Sequence, residues 1–154
     1  MIPRYARPEM ARIWTQDAKY EAWLQVELAV CAVYAKRGLI PEDALARIRG
    51  RARVQAARID EIEVTTRHDV IAFLTNLEEA LGTDSRYVHM GLTSSDVVDT
   101  ALALQLHQAA DLLLAGLERD AAQAQSGLLR AGVRPGPPRA HERPGRAGER
   151  RAVA

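Results

Sequence analysis

Apolar side chains recur at helical spacing in four stretches of this sequence, separated by short polar segments that contain proline or glycine. Residues 16–37, 44–54 and 70–81 place apolar side chains three and four positions apart, the spacing of a helix with one buried face. A fourth stretch runs from Val98 to Leu128. The pattern predicts an all-α protein. The side chains that we expect to be buried in the first three helices are Tyr20, Trp23, Leu24, Leu28, Cys31, Ala32, Ala35, Leu45, Ile48, Val70, Ile71, Leu74, Leu77 and Leu81.

The fourth stretch is the longest of these helices. A helix of about thirty residues with a continuous apolar stripe cannot be covered by the short helices before it, so we expect partner helices from the same chain or from other subunits. The stripe consists of Val98, Leu102, Leu106, Ala109, Leu113, Leu117, Ala121, Ala124 and Leu128, and Val97, Leu104, Leu112 and Leu114 widen it.

The segments between these stretches are expected to be short. Residues 1–10 contain Pro3 and Pro8 and predict an extended arm, although Pro8 also favours the first turn of a short helix. Residues 59–64 predict a short helix or a turn, and Gly82 is expected to end the helix before it.

Composition narrows the class of protein. The apolar content of 47% supports a folded core, and an aromatic content of only 5% favours helices over a sandwich. Cys31 is the single cysteine, which excludes an intramolecular disulfide and a cysteine-based metal site and favours a reducing compartment. The start of the chain does not resemble a signal peptide, and no apolar stretch reaches membrane-spanning length. We therefore expect a soluble, cytoplasmic protein.

The charge is distributed unevenly. Residues 130–154 contain seven arginines and two glutamates, a net charge of +5, whereas residues 1–129 carry a net charge of −4. Twenty of these last 25 residues are Arg, Pro, Gly or Ala, which predicts a disordered tail. These are residue types that GC-rich codons encode, so a shifted reading frame is one hypothesis. A basic arm that binds nucleic acid is the alternative, but the tail has no aromatic side chain to stack on bases.

The boundaries predicted from these patterns are an N-terminal helical domain over 1–95, a long helix over 96–129 and the tail over 130–154. Within these boundaries, two polar segments contain more hydroxyl, imidazole and charged side chains than packing requires. The first surrounds Gly91 just before the longest helix, where unpaired backbone N–H groups could hold a carboxylate or a phosphate. Capping of the helix is the simpler explanation, and the two roles are compatible. Its polar residues are His89, Thr93, Ser94, Ser95 and Asp96.

The second polar segment, Thr66-Arg67-His68-Asp69, also precedes an apolar helix. Arg67 could hold an oxyanion while the imidazole of His68 exchanges a proton near neutral pH. A surface histidine without a function is the competing explanation. Two such segments in one chain favour a binding or catalytic site over either segment alone.

Three motifs together resemble the N-terminal region of the adenylosuccinate lyase family, in its shorter bacterial and archaeal form. They are Arg4-Tyr5 followed by Arg-Pro-Glu-Met, Thr66-Arg67-His68-Asp69-Val70, and His89 with the run from Gly91 to Thr100. The resemblance covers residues 1 to about 125. It implies an all-α fold of the fumarase/aspartase type, in which the long helix is the first of a central bundle.

The resemblance also implies a function. Members of the family eliminate fumarate from adenylosuccinate, and from the succinyl-carboxamide ribotide, in purine synthesis. They need no metal and no organic cofactor, and their active sites are assembled from three subunits of a homotetramer. The implied partner is therefore a small-molecule nucleotide, with neither a membrane nor nucleic acid involved.

Each motif residue acquires an expected role from this resemblance. Arg4 and Tyr5 would bind the nucleotide, and Arg67, His68 and Asp69 would bind the substrate, with His68 also the candidate for proton transfer. His89 would lie near the substrate phosphate. Thr93 and Ser94 would receive a succinyl carboxylate.

Two family motifs do not occur in the 154 residues. They are the Gly-Arg-Thr-His-Gly segment of the general acid and the Ser-Ser-x-Met-Pro-x-Lys-x-Asn-Pro loop of the catalytic serine. His141 stands near the place expected for the general acid, but its flanking residues do not match, so we assign it no role. We expect an incomplete chain that is inactive alone and self-associates. The alternatives are a helical interaction protein with a basic, nucleic-acid-binding tail and another lyase of the same superfamily.

Overall fold

Six α-helices and two 3-10 turns form the part of the chain that the structure, a computed structural model, describes, residues 3–131. No strand occurs within this range, so the predicted all-α class is confirmed. The predicted disordered tail lies outside the described residues except for Arg130 and Ala131. The helices are α1 (Pro8–Ile13), α2 (Gln16–Lys36), α3 (Glu42–Arg51), α4 (Ala56–Thr66), α5 (Asp69–Leu81) and α6 (Ser94–Arg130), and the 3-10 turns are Pro3–Tyr5 and Gly82–Tyr87.

The expected extended arm over residues 1–10 is wrong in part. Arg7, just before α1, has extended backbone, with φ −66° and ψ 133°, whereas Pro3–Tyr5 is a 3-10 turn. Helix α1 already begins at Pro8, because the fixed φ of proline suits the first helical position. The helix or turn expected over 59–64 is a helix and is longer than predicted.

The core within residues 1–115 is built around three aromatic rings. Tyr20 and Trp23 of α2 and Phe73 of α5 are at most 2% exposed, and the Trp23 ring meets the other two edge to face at 5.3 and 5.4 Å. Burial of each such side chain contributes about 1.5–3 kcal/mol. This cluster holds α2 against α4 and α5.

Most of the predicted core positions are buried. Ile71 is the exception, because the buried face of α5 passes through Val70, Phe73 and Leu77, and Ile71 is 47% exposed beside it. Leu28 and Leu74 are partly buried at the edge of the core.

The segment that precedes α6 is fastened to α2 and α3. Asp84 is buried, and its two carboxylate oxygens accept from Nε and Nη2 of Arg47 at 2.8 and 3.0 Å. The Cys31 thiol lies 3.5 Å from the carbonyl oxygen of Tyr87. These contacts fix the start of the loop that joins the 3-10 turn to α6.

Helix α6 packs against the domain through a face other than its leucine stripe. Within residues 94–115 the buried positions are Val97, Ala101, Gln105 and Ala109, whereas Leu102, Leu106 and Leu113 are 45%, 53% and 61% exposed. Small side chains allow a close approach to the domain, so the leucine stripe is left on the outside. The need for partner helices therefore stays a prediction.

Residues 116–131 belong to a second compact unit, which contains the C-terminal part of α6. Leu117 and Leu128 are exposed there. None of the helices in the described part of the chain combines the length and the hydropathy that crossing a bilayer requires.

Candidate functional site

His89 is anchored to a buried carboxylate on α2. Its backbone N–H donates to Oε2 of Glu27 at 2.8 Å, and its ring nitrogen Nδ1 lies 2.6 Å from Oε1 of the same side chain. Glu27 is 1% exposed. Because an ionised carboxylate only accepts hydrogen bonds, Nδ1 carries the proton in this contact. The second ring nitrogen, Nε2, makes no hydrogen bond within residues 3–131 and remains available to a ligand.

Glu27 was not among the residues that the sequence analysis selected. A signal for it exists in the sequence, because Glu27 stands four residues after Trp23 and four before Cys31, both on the buried stripe of α2. A lone acid on an apolar stripe must find a polar partner when the helix packs. The partner, His89, lies 62 residues away in the chain, and the pattern within α2 alone does not identify it.

Thr93 caps helix α6 in a reciprocal arrangement with Asp96. The N–H and hydroxyl groups of Thr93 donate to Oδ2 of Asp96 at 2.7 and 2.9 Å, and the N–H of Asp96 donates to the Thr93 hydroxyl at 3.4 Å. The backbone and side-chain donors of Thr93 lower the pKa of the Asp96 carboxyl. This helix end therefore already stabilises one carboxylate.

Ser94 is the first residue of α6 and is partly exposed. Its hydroxyl makes no hydrogen bond to any residue in the described range, and neither does that of Ser95. These two hydroxyls stand beside the Thr93 cap, where a second anion could find donors.

Arg67, His68 and Asp69 form the junction between α4 and α5. Arg67 ends α4 in the left-handed conformation, with φ 54°, and His68 caps α5 through Nδ1, which accepts from the N–H of Ile71 at a long 3.4 Å. Oδ1 of Asp69 accepts from the N–H of Val70 at 2.7 Å and lies 3.5 Å from Nδ1 of His68. In this arrangement Nε2 of His68 remains available to a ligand.

Left-handed backbone marks both predicted polar segments. Arg67 and His89, at φ 54° and 60°, are the two non-glycine residues with positive φ between residues 3 and 131. Side chains other than glycine pay a steric cost there, and such strain is concentrated at functional sites. The strained positions thus coincide with residues that were selected on chemical grounds alone.

Arg4 and Tyr5 lie in the first 3-10 turn. Tyr5 is 75% exposed, and the guanidinium carbon of Arg4 stands 4.8 Å from the centre of its ring. No hydrogen bond or ion pair in the described part of the chain connects this turn with Arg67–Asp69, or either of them with His89–Ser94. The convergence of the three motifs on one ligand therefore stays a prediction.

The polar loop borders an open groove between α2 and α6. The groove has a volume of about 570 Å³ and is lined on the loop side by Gly91, Leu92 and Asp96. The α2 side contributes Gln25, Val26, Ala29 and Val30. Within residues 3–131, including this groove, no group of three or more His, Cys, Asp or Glu side chains is placed to hold a metal ion.

A known protein family matches most of the chain. A family model described as "Lyase" matches residues 4–124. The chain belongs to this lyase family. The matched residues begin at Arg4 and include every predicted site residue.

Two bacterial relatives of the chain share the name adenylosuccinate lyase. The chain is 54% identical over 119 residues to the adenylosuccinate lyase of Synechocystis sp. and 50% identical to that of Bacillus subtilis. Each alignment covers 77% of the chain and 28% of the relative, so the chain spans little more than a quarter of their length. The resemblance predicted from three motifs is confirmed.

Solved structures place this lyase in the expected fold. The 3-carboxy-cis,cis-muconate lactonizing enzyme of Pseudomonas putida superposes with a TM-score of 0.74 at 30% identity, over 82% of this chain and 30% of that one. A fumarate lyase from Mesorhizobium sp. BNC1 gives a TM-score of 0.64 at 24% identity, over 70% of this chain and 26% of that one, a likeness of fold alone. The predicted fumarase/aspartase-type fold is confirmed for the helical part of the chain.

Proposed function

We propose that the chain is the substrate-binding N-terminal part of an adenylosuccinate lyase, which eliminates fumarate from a succinylated nucleotide. The observation that carries this proposal is the 54% identity over 119 residues with a relative of that name. The left-handed backbone at Arg67 and His89 supports it independently. A homotetrameric assembly in the cytoplasm is part of the same proposal.

The reaction explains why the site residues are mostly anion-binding groups. A base takes a proton from the carbon next to a carboxylate, a carbon–carbon double bond forms, and the carbon–nitrogen bond breaks as an acid protonates the departing nitrogen. The substrate carries a phosphate and two carboxylates throughout. Donors that are fixed before the substrate arrives stabilise the charge that builds up during elimination.

The chain offers such donors at two helix junctions. The guanidinium of Arg67 and the free Nε2 of His68 stand where α4 meets α5, and the Ser94 hydroxyl stands at the N-terminus of α6 beside the Thr93 cap. We propose that the two junctions together bind the succinyl portion, and that His89 faces the phosphate. Arg4 and Tyr5 would close over the nucleotide from the N-terminal turn.

Nucleotide binding to the 154-residue chain tests this proposal. Adenylosuccinate, titrated into the labelled chain and followed by NMR, should bind weakly and shift the signals of Arg67, His68 and Ser94, whereas AMP, which lacks the succinyl group, should shift the signals of His89. Arg67→Gln should abolish the adenylosuccinate shifts at His68 and Ser94. Arg58→Gln is the matched control, because Arg58 lies in α4 too but is paired with Glu61 and Glu79 at 2.9 and 2.7 Å.

The same titration separates the alternative of a nucleic-acid-binding protein. That alternative predicts salt-sensitive binding of oligonucleotides that survives Arg67→Gln and disappears when the arginines after residue 131 are replaced by glutamine. Adenylosuccinate shifts at His68 and Ser94 that Arg67→Gln leaves unchanged would overturn the proposed function.

A further inference from the structure

We infer that Glu27 is a positioning residue that determines which ring nitrogen of His89 is presented to the substrate. The inference rests on the proposed function, because it specifies how one residue of that site is held. Glu27 itself is 1% exposed and is therefore not a group that meets the ligand.

The carboxylate of Glu27 contacts His89 at two points. One carboxylate receives both the backbone N–H and the ring Nδ1 of His89, at 2.8 and 2.6 Å. A single carboxylate thereby fixes the position of the residue and the rotation of its ring. The side chain of His89 is 19% exposed, so little of the ring is free to reorient into solvent.

The contact between Glu27 and His89 carries a free-energy cost for the fold. A carboxylate buried on the apolar face of α2 loses its hydration, and His89 adopts φ 60°, which is unfavourable for a side chain with a Cβ. Leucine at position 27 would satisfy the core without the cost of desolvating a carboxylate. The pair is therefore explained by what it does to the histidine rather than by packing.

The contact with Glu27 also determines the tautomer of His89. With the proton on Nδ1 committed to Glu27, only Nε2 can meet a ligand: Nε2 accepts in the neutral ring and donates to an anion such as phosphate once the ring takes up a second proton. At His68, by contrast, Nδ1 lies 3.4 Å from the N–H of Ile71 and 3.5 Å from Oδ1 of Asp69, so no short contact with a buried carboxylate fixes its tautomer.

Glu27→Gln tests the inference without a change of shape. The backbone N–H of His89 can only donate, so the amide oxygen of the new side chain must face it and the NH₂ group must face Nδ1. Nδ1 then loses its proton and Nε2 gains one. We expect ¹⁵N NMR of the ring nitrogens, recorded at alkaline pH, to show Nδ1–H at His89 in the natural chain and Nε2–H in the variant.

The internal reference is His68, whose ring signals should not change. The matched control is Asp84→Asn. This variant neutralises a second buried acid, whose partner is Arg47, and should leave the His89 tautomer unchanged. In the AMP titration we expect Glu27→Gln to weaken binding roughly tenfold, because the amide cannot balance the positive charge of the doubly protonated ring that donates to the phosphate, and Asp84→Asn to leave it unchanged.

The outcomes are separable. Nδ1 unprotonated at His89 in the natural chain, Nδ1 still protonated in Glu27→Gln, or AMP affinity unchanged by that variant would each overturn the inference. If Glu27→Gln does not fold, the tautomer in the natural chain decides alone. A natural chain with the expected tautomer that binds no AMP contradicts the proposed function and leaves the positioning of His89 by Glu27 intact.

Discussion

The hydroxyl group of Tyr34 lies 3.1 Å from the position that a Cβ atom on Gly91 would occupy. Gly91 also has φ +73°, a conformation that side chains rarely adopt. It stands between His89 and Thr93 in the loop that carries the predicted phosphate and carboxylate contacts. Both the backbone and the available space therefore require glycine where this loop turns towards α6.

Gly91→Ala should lower the free energy of unfolding by about 1–2 kcal/mol, from the left-handed backbone and the contact with Tyr34. The matched control is Gly50→Ala in α3, where nothing lies within 4 Å of the added Cβ. Alanine is the better helix former, so this control should raise stability by about 0.5–1 kcal/mol. Urea denaturation measures both, and equal effects of the same sign would contradict the prediction.

Gln105 joins α6 to the end of α1. It is 6% exposed, and its Nε2 donates to the carbonyl oxygen of Ile13 at 2.6 Å. Gln105→Leu leaves that carbonyl without its partner and should destabilise the chain by about 1–3 kcal/mol in thermal or urea unfolding. Gln108→Leu makes the same change at an exposed position of α6 and should stay within about 0.5 kcal/mol.

The fold should lose stability at alkaline pH. Burial, followed by the charge of Glu27, raises the pKa of the Cys31 thiol from 9.0 to about 11, and burial, followed by Asp60, raises the pKa of the Tyr20 hydroxyl from 10.0 to about 12. Both groups ionise more easily in the unfolded chain. Their stabilising contribution is complete below the ordinary values and is lost as the pH rises through the folded ones.

Each group should account for up to about 2–3 kcal/mol, because one pKa unit corresponds to 1.36 kcal/mol. Unfolding by urea at a series of pH values measures the loss. Cys31→Ala should remove the part that develops between pH 9 and 11 and leave the later part, due to Tyr20. A natural chain equally stable at pH 8 and pH 11 would show the prediction to be wrong.

Helix periodicity and short motifs were sufficient to predict the fold class and the polar residues that the helix junctions display. They were not sufficient for Glu27, because a spacing within α2 contains no information about a partner on the other side of the core. They also did not indicate which face of α6 packs against the domain, because Ala101 and Ala109 pack there as small residues while the leucine stripe stays exposed. Both features depend on contacts between residues that are distant in the sequence, and the spacing within one helix does not show such contacts.

The isolated chain should not release fumarate from adenylosuccinate at an enzymatic rate. Neither the general-acid segment nor the serine loop of the family occurs among the 154 residues, and His68 alone cannot both take and give the required protons. Absorbance of fumarate provides the measurement, with the adenylosuccinate lyase of Bacillus subtilis as the positive control. Turnover by this chain, lost in His68→Gln, would contradict the prediction.

Arg67 should show a trade between stability and binding. Its φ of 54° at the end of α4 suits glycine, which commonly occupies this left-handed position after a helix. Arg67→Gly relieves the strain and removes the guanidinium, whereas Arg67→Gln removes the guanidinium and keeps the strain. We expect the glycine variant to be more stable than the glutamine variant by about 1 kcal/mol.

Both variants should lose adenylosuccinate binding equally, because both lack the guanidinium that the proposed function assigns to the succinyl portion. If Arg67→Gly and Arg67→Gln unfold at the same urea concentration, the left-handed backbone is not strained and the structural support for a functional Arg67 disappears. If glycine raises stability while binding is kept, the strain exists but serves no ligand. Only the combination of gained stability and lost binding explains why arginine occupies a position that suits glycine better.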